Sequence, residues 1–412
     1  MKKRNFTPLA KLSPSPILSS FDLSPVVRVP AQTTPGNAPQ DEGLDSDVFL
    51  SRFVEMSFHA AHVESSRTLP APQLSALQRN IAAALDATPD DVTVDRWGMS
   101  PRLRSIHCWG RCRGESIFAR TLIRDPYLLS PPVTTPWDDT MPFSSRPAEE
   151  QIQVEWNTLQ DVRRITGTDH IADPLGKSLS HRTIVLRDVK GEIVDEMVKR
   201  RKWFDSKAAA VSALLEAGAW LRSLHDRSAS KSLRLSLYPL LQAFRERVSG
   251  GRALRPNEQR ALRTLELTEM ELGDTEFSVP AALSHGDFTL ANLRWHEGER
   301  RVFVADFENV VSANICQDLL SLISDLRSQL LNPIIPKDLI LSLEKAFWEG
   351  YGPVAKPVLA YVNGVASARV FYHHLPMALT RRKRRGGMAK AAASVYQAFL
   401  QSLMMARCTE GL

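Results

Sequence analysis

The sequence predicts an α+β fold in which a small, strand-rich region precedes a larger, mainly helical one. Residues 92–124 form short segments of alternating apolar and polar side chains bounded by turn residues, a pattern typical of strands. Residues 206–270 and 316–407 are predicted to be mainly helical. Between the two helical stretches lie two short apolar segments, and each of them ends in a cluster of polar residues.

The first cluster is Ser284-His-Gly-Asp-Phe-Thr-Leu-Ala-Asn292, and the second, which follows 14 residues later, is Asp306-Phe-Glu308. Apolar residues precede both clusters, so each is expected to follow a short buried strand. We therefore expect Asp287, Asn292 and Asp306 to lie close together.

These three side chains suit the transfer of a phosphoryl group. That reaction needs a carboxylate that orients the acceptor hydroxyl, and oxygen ligands that hold Mg²⁺ on the phosphates. Asp287 suits the first role. Asn292 and Asp306 suit the second, because Mg²⁺ prefers oxygen ligands and needs only one or two from the protein.

Local structure offers another explanation for the same residues. Asp287 could cap a turn and Asn292 could begin a helix, because both residue types favour positions with local hydrogen bonds. This explanation does not account for a second acidic cluster after a second apolar strand. The phosphoryl-transfer interpretation is therefore preferred.

The motifs HGDFTLAN and ADFE resemble those of the aminoglycoside phosphotransferase and choline kinase-like family, the small-molecule branch of the protein-kinase fold. The segment Ala219–His225 is similar to the family's helix that ends in Leu-His, and Asp318-Leu-Leu resembles the Asp-Leu after its metal-binding segment. The resemblance covers roughly residues 92–400. It implies a two-lobed protein-kinase-like fold with a small β-rich N-lobe, a larger helical C-lobe, and ATP and Mg²⁺ as cofactors.

On this basis the chain divides into four parts. Residues 1–45 are predicted to be a disordered Pro/Ser-rich tail, because their seven prolines and few large apolar residues cannot bury enough surface. Residues 46–90 are predicted to be a helical extension. Residues 91–190 would form the kinase-like N-lobe with the hinge, and residues 191–412 the helical C-lobe with the catalytic and metal-binding loops.

The resemblance also implies a nucleotide site in the N-lobe, with one departure from the family. Gly98 would begin the loop that covers the nucleotide, although one glycine is a weak signal. The family's strand Lys is missing, because no lysine lies between Lys11 and Lys177, and Arg120 occupies the matching position. Arg keeps the charge but is bulkier than Lys. Arg120 could bind phosphates, mark a degraded kinase or be a solvated strand residue.

Other nucleotide-binding residues are also assigned by resemblance. Glu155 most resembles the helix glutamate that pairs with the strand cation, and Glu150 is the runner-up. The strand that begins at Thr183 resembles the hinge, whose backbone between Arg187 and Val189 would hydrogen-bond the adenine.

Three further polar residues near the motifs are expected to support the loops and not to react. His285 is expected to pack and form hydrogen bonds within its loop, and His225 is expected to be structural. Asp318 is expected to brace the catalytic loop or cap a helix.

The distribution of charged residues along the chain suggests the charge of the acceptor. Residues 350–409 contain nine Lys or Arg and no Asp or Glu, a local charge of +9 that exceeds the +6 of the whole chain. The densest part is Thr380–Gly387, preceded by Arg369, Tyr372, His373 and His374. This segment could be only a solvated helix end, or it could attract an anionic acceptor. A nucleic-acid partner is not expected, because no aromatic-interleaved strand surface is evident.

Composition favours a globular, cytoplasmic enzyme. Apolar content of 43% and charged content of 24% are ordinary, no transmembrane segment is predicted, and four cysteines give no disulfide framework. The sequence thus predicts an ATP-dependent phosphotransferase acting on a hydroxyl of a small molecule or glycan, preferably anionic. A pseudokinase scaffold is the alternative, and a protein kinase or effector is a weaker one. The sequence leaves ATP versus GTP and the oligomeric state open.

Overall fold

The computed structural model describes residues 71–99, 105–122, 147–199, 203–249, 253–273, 276–332 and 335–375. The predicted tail at 1–45, most of the predicted helical extension and the basic segment 380–387 lie outside these ranges. The boundaries of the four predicted parts therefore stay predictions.

The strands of the described residues, numbered in chain order, are β1 Val92–Met99, β2 Ser105–Cys112, β3 Glu115–Leu122, β4 Pro174–Ser178, β5 Thr183–Arg187, β6 Glu192–Ile193, β7 Ser232–Leu235, β8 Phe277–Ser284, β9 Leu293–His296, β10 Arg301–Val304 and β11 Val311–Asn314.

The α-helices of the same ranges are α1 Ala71–Leu85, α2 Ala148–Thr166, α3 Val194–Lys199, α4 Trp203–Ser228, α5 Tyr238–Ser249, α6 Pro256–Leu272, α7 Cys316–Ser328, α8 Lys337–Tyr351 and α9 Lys356–Arg369. Short 3-10 turns cover Leu290–Asn292 and Phe307–Asn309, and a π-helical turn, Val370–His374, follows α9.

The N-lobe is a five-stranded antiparallel sheet with the strand order β1-β2-β3-β5-β4. Helix α1 covers one of its faces, where buried Leu77 and Ile81 pack with Ile106 and Ile117 in one apolar cluster. Side chains alternate along a strand. Phe118 and Arg120 of β3 therefore lie on the face of the sheet opposite to α1. That opposite face is the one available for a ligand.

The C-lobe is built around the long helix α4, which crosses α8 at close range. Gly350 lies at this crossing, and a Cβ atom there would clash with the carbonyl oxygen of Leu215. Arg327 of α7 ties the lobe together further, because its buried guanidinium forms an ion pair with Glu344 of α8 at 2.6 Å and donates to the Asn363 carbonyl oxygen of α9 at 2.9 Å.

Two small sheets on the C-lobe place the polar clusters. In one, with the order β11-β8-β7, strand β8 ends at Ser284 and leads directly into the first cluster. In the other, with the order β10-β9-β6, the hairpin of β9 and β10 lies between the two clusters. Both clusters therefore leave buried strands, as the apolar segments of the sequence predicted.

The predicted α+β architecture is confirmed, with the strand-rich and helical regions in the predicted order. One element differs from expectation. The sequence predicted that the strand is interrupted at Gly98. In the structure Gly98 pairs with His107 of β2, and β1 continues through Met99. Among the described helices, none has the length and apolar character needed to cross a membrane.

Candidate active site

The first polar cluster holds Asp287 and Asn292 in direct contact. The Nδ2 group of Asn292 donates to the Asp287 backbone carbonyl at 2.8 Å and to the Asp287 carboxylate at 3.2 Å. These bonds use the amide nitrogen of Asn292 and leave its amide oxygen for another ligand. The Asn292 backbone carbonyl accepts a hydrogen bond from the Ala305 N–H at 2.9 Å, which brings the second cluster beside the first.

Gly286 makes this close approach possible. Its φ is +81°, a conformation that a residue with a Cβ atom rarely adopts, and a Cβ atom there would clash with the backbone of Asn309. The catalytic loop and the second cluster therefore touch through their backbones at this glycine.

Asp306 has a left-handed backbone, with φ 67° and ψ 68°. Asp tolerates this conformation better than most residues because its short polar side chain can hydrogen-bond locally. The pKa of its carboxyl group is raised to about 8, first because of burial and then because of the negative charge of Glu308, while Arg120 opposes the shift. Glu155 and Asp287 raise it further.

The buried side chain of Arg120 is the cation among these carboxylates. Its Nη2 pairs with Glu155 of α2, while its Nη1 lies 2.6 Å from Glu308 and 3.6 Å from Asp306. The Arg120 Nε–H is buried and has no hydrogen-bond partner among the described residues. The structure thus brings together Arg120 and Glu155, and the runner-up Glu150 does not form this contact.

Asn292 and Asp306 fit a hard divalent cation. Both can offer oxygen atoms, which are the ligands that such a cation prefers. Within the described ranges, no group of three or more His, Cys, Asp or Glu side chains is arranged for a metal ion.

Asp318 holds the loop of the first polar cluster through hydrogen bonds. Its carboxylate is fully buried and accepts hydrogen bonds from the Ser284 hydroxyl at 2.8 Å, the His285 N–H at 2.8 Å and the Gly286 N–H at 2.9 Å. Burial opposes its ionisation, but hydrogen bonding and the charge of His225 outweigh burial and lower its pKa. Its position corresponds to a brace of the loop and not to a metal ligand.

The two histidines of the motifs have both ring nitrogens engaged. His285 donates from Nε2 to the Ala305 carbonyl at 2.9 Å, and its Nδ1 accepts the Asp287 N–H at 3.4 Å. His225 forms hydrogen bonds through Nε2 with the Asp318 carboxylate at 3.2 Å and through Nδ1 with the Tyr351 hydroxyl at 2.9 Å. Burial lowers the pKa of His285.

A second aspartate that the sequence analysis missed also holds this loop. Asp325 lies on α7 seven residues after Asp318, and accepts the Leu290 N–H at 2.9 Å. Residues seven apart lie on one helical face. The spacing of Asp318 and Asp325 could therefore have indicated that both contact the same loop. Burial raises the pKa of Asp325 to about 6, and the hydrogen bond from Leu290 opposes this shift.

Glu308 and Gln151 were also missed. Glu308 contacts Arg120 through its side chain, and its backbone carbonyl accepts from Gln151 of α2 at 2.8 Å. The sequence signal for Glu308 was its place in the second polar cluster, for which no role was predicted. Nothing in the sequence pointed to Gln151.

The backbone groups of the predicted hinge are only partly available to form hydrogen bonds with the adenine of a nucleotide. The Arg187 N–H donates to the Asp173 carbonyl at 2.8 Å, and its side chain pairs at the surface with Glu115 and Asp173. Val189 is half-buried, and within the described ranges its N–H donates to no backbone carbonyl. Gly98 lies near the end of β1, and residues 100–104 after it are outside the described ranges.

The last turn of α9 brings a cation to the site. Arg369 lies close enough to Asp287 and to His374 for their charges to interact. Burial lowers the pKa of Arg369 to about 10 and that of His374 to about 4. The imidazole of His374 is therefore neutral at pH 7, whereas Arg369 is charged.

We expect Asp306→Asn to stabilise the metal-free protein. A carboxyl group whose folded pKa is about 8, against a usual value of 3.8, binds more protons in the folded state, so its ionisation costs increasing stability as the pH rises from about 4 to 8. Asn removes this cost and also tolerates the left-handed backbone. The melting temperature without metal should rise more at pH 8 than at pH 5.

Asp338→Asn, on the surface of α8, is the control for removal of one charge. An Asp306→Asn variant that is equally or less stable than the parent at pH 8, in chelator, would contradict the electrostatic description of this site.

Solved structures similar to this chain include several kinases of small molecules. A choline/ethanolamine kinase family protein from Mesorhizobium loti aligns with a TM-score of 0.46 and 14% identity, covering 80% of this chain and 93% of its own. An aminoglycoside phosphotransferase from Alicyclobacillus acidocaldarius aligns at 0.45 and 12%, covering 84% and 96%. A macrolide 2′-phosphotransferase from Brachybacterium faecium aligns at 0.44 and 15%, covering 79% and 97%.

No curated protein matches the sequence. The family model of the phosphotransferase enzyme family, APH, matches residues 163–357. This range, just under half of the chain, contains Asp287, Asn292 and Asp306 together with the α7 aspartates that hold their loop. The resemblance predicted from the sequence is confirmed over residues 163–357, where the chain is similar to the phosphotransferase enzyme family.

Proposed function

We propose that this protein transfers the γ-phosphoryl group of ATP to a hydroxyl group of a small molecule or glycan, with Mg²⁺ as the metal. The observation that carries the proposal is the arrangement around Asn292. Its amide group donates to the Asp287 carboxylate, and its backbone carbonyl holds the segment that carries Asp306. One residue thus connects a base to a metal-binding carboxylate.

Asp287 would act as the catalytic base. Its carboxylate would accept the proton of the acceptor hydroxyl, and the hydrogen bond from Asn292 would fix its orientation. Asp318 and His285 would be positioning residues, because they bond to the loop backbone and hold Asp287 in place. No covalent help from the protein is needed for this transfer.

Asn292 and Asp306 would hold the metal through their oxygen atoms, and Arg120 would bind the phosphates. When bound, Mg²⁺ neutralises charge that develops on the phosphate oxygens. The unpaired Arg120 Nε–H is a donor for a phosphate oxygen. Glu155 would keep the guanidinium in position.

Asp287→Asn should lower the rate of phosphoryl transfer by about 10²- to 10⁴-fold, because the positioned base is lost, and should leave a folded protein. The measurement is transfer of labelled γ-phosphate into a panel of metabolites and glycans, with circular dichroism to monitor folding. Asp338→Asn is the control, since Asp338 lies on the surface of α8, and it should keep the parent's rate. Near-normal turnover by Asp287→Asn would rule out the assignment.

The acceptor would carry an anionic group. Support comes from Arg369, whose charge acts on Asp287 at the point where an acceptor hydroxyl would lie. The excess of cations in residues 350–409 points the same way. A phosphorylated sugar or an acidic metabolite would be attracted to these charges, whereas a polycationic aminoglycoside would be repelled.

Replacing the arginines of the basic segment should therefore weaken acceptor binding. A variant with Arg381, Arg382, Arg384 and Arg385 changed to Gln should raise the acceptor KM much more than the KM for ATP. Added salt should act in the same direction, because the screening length falls to about 8 Å at 0.15 M.

The control variant removes the same number of charges from exposed positions elsewhere, namely Arg79, Arg164, Arg234 and Arg300. An unchanged acceptor KM in the first variant, or a polyamine as the best acceptor, would contradict the anionic assignment.

A nucleotide-binding scaffold without activity is the second candidate. The observation that favours it is the contact of Arg120 with Glu308 and Asp306, which engages the cation at the metal-binding segment. Transfer that depends on Asp287 would decide against it. The cytoplasmic location expected from the sequence stays a prediction.

A further inference from the structure

The guanidinium of Arg120 has two enclosed sides and one that lies near solvent. Its Nη2 pairs with Glu155, whose side chain is only 4% exposed, and its Nε–H is buried without a hydrogen-bond partner among the described residues. Its Nη1 lies 2.6 Å from the carboxylate of Glu308, whose side chain is 27% exposed. An anion that enters from solvent therefore approaches Arg120 at Nη1.

Glu308 already holds the donor that such an anion needs. The contact at 2.6 Å joins a cation to a carboxylate, which makes it one of the stronger kinds of hydrogen bond in proteins. A phosphate oxygen would form the same kind of bond, so the two acceptors compete for Nη1 and their negative charges repel each other. Because the guanidinium is one rigid plane, its buried Nε–H also cannot turn towards a phosphate while Glu308 holds Nη1.

Glu308 is the carboxylate of this group that can leave Arg120 at low cost. Its side chain reaches solvent, so its charge can be hydrated again, whereas Glu155 is enclosed and would remain as a buried, unpaired charge. The backbone at Glu308 has its own support, because its carbonyl accepts a hydrogen bond from Gln151 at 2.8 Å and the preceding Phe307 is buried in the core. The side chain can therefore be displaced while the second polar cluster stays in place.

We infer that Glu308 competes with the donor phosphates for Arg120 and thereby sets the affinity of the donor site. This inference rests on the proposed function, and it goes further because it gives Glu308 a role that opposes nucleotide binding. The carboxylate covers Nη1 until a triphosphate displaces it into solvent, and its return to Arg120 assists the release of the product nucleotide. The contact between Arg120 and Glu308 then regulates donor binding and does not mark a degraded kinase.

The test is calorimetric titration of the full chain with the Mg²⁺ complex of a non-hydrolysable ATP analogue. Glu308→Gln removes the charge and keeps the size of the side chain. It should bind the analogue more tightly than the parent, by roughly threefold to tenfold, because the competing charged hydrogen bond becomes a neutral one. A residue that only supported the fold would not give tighter binding when it is replaced.

Glu276→Gln is the matched control. The Glu276 carboxylate also pairs with an arginine, Arg234, at 3.3 Å. It precedes β8 at the end of the strand opposite to the first polar cluster. The affinity of this variant for the analogue should equal that of the parent.

Two further variants separate competition from a general effect of charge. Glu308→Ala also removes the hydrogen-bond acceptor, so it should bind at least as tightly as Glu308→Gln, and it provides a second measurement if the first variant does not fold. Glu308→Gln added to the Arg120→Gln/Glu155→Gln double variant should give no gain in affinity, because no guanidinium is left to release.

Three outcomes would count against the inference. Unchanged or weaker binding by the folded Glu308 variants, with a parent that binds the analogue, would overturn it and leave the proposed function intact. An equal gain in the background without Arg120 would show simple repulsion between Glu308 and the phosphates, and would overturn it as well. If neither the parent nor the Glu308 variants bind the analogue, the proposed function fails together with this inference.

Discussion

The guanidinium of Arg120 is the interaction on which the site depends. It lies among three carboxylates from three segments, namely Glu155 of α2, Asp306 of the second polar cluster and Glu308 beside it. A buried ion pair is weak as a source of net stability, but removal of one partner leaves a costly unpaired charge. Arg120 therefore fixes where α2 and the second polar cluster lie relative to the N-lobe sheet.

The opposite side of the site is fixed by backbone hydrogen bonds to one helix. Asp318 and Asp325 of α7 accept N–H groups from the start and from the later turn of the catalytic loop. Asp287 thus needs no direct packing of its own to be positioned, because its loop is held at both ends. The pKa is lowered at Asp318, where hydrogen bonds and the charge of His225 outweigh burial, and it is raised at Asp306 and at Asp325, first because of burial.

The sequence predicted the parts of the site that are close in the chain. Asp287, Asn292 and Asp306 follow short apolar strands, and the hairpin of β9 and β10 brings them together, so strand pattern and spacing sufficed. It could not predict that Asp325 holds the loop, or that the Arg187 N–H donates to the Asp173 carbonyl. Those contacts arise from the way the sheets and helices pack across long sequence distances, which no local pattern records.

The most direct test of this account is nucleotide affinity after the central cation is changed. The Arg120→Gln/Glu155→Gln double variant removes the cation without leaving Glu155 as an unpaired charge, and Arg120→Lys keeps the charge. Calorimetric titration with Mg-ATP should show about a tenfold or greater loss in the double variant, as expected for loss of a charged hydrogen bond, and near-parent affinity in Arg120→Lys. Unchanged affinity in a folded double variant would contradict the account.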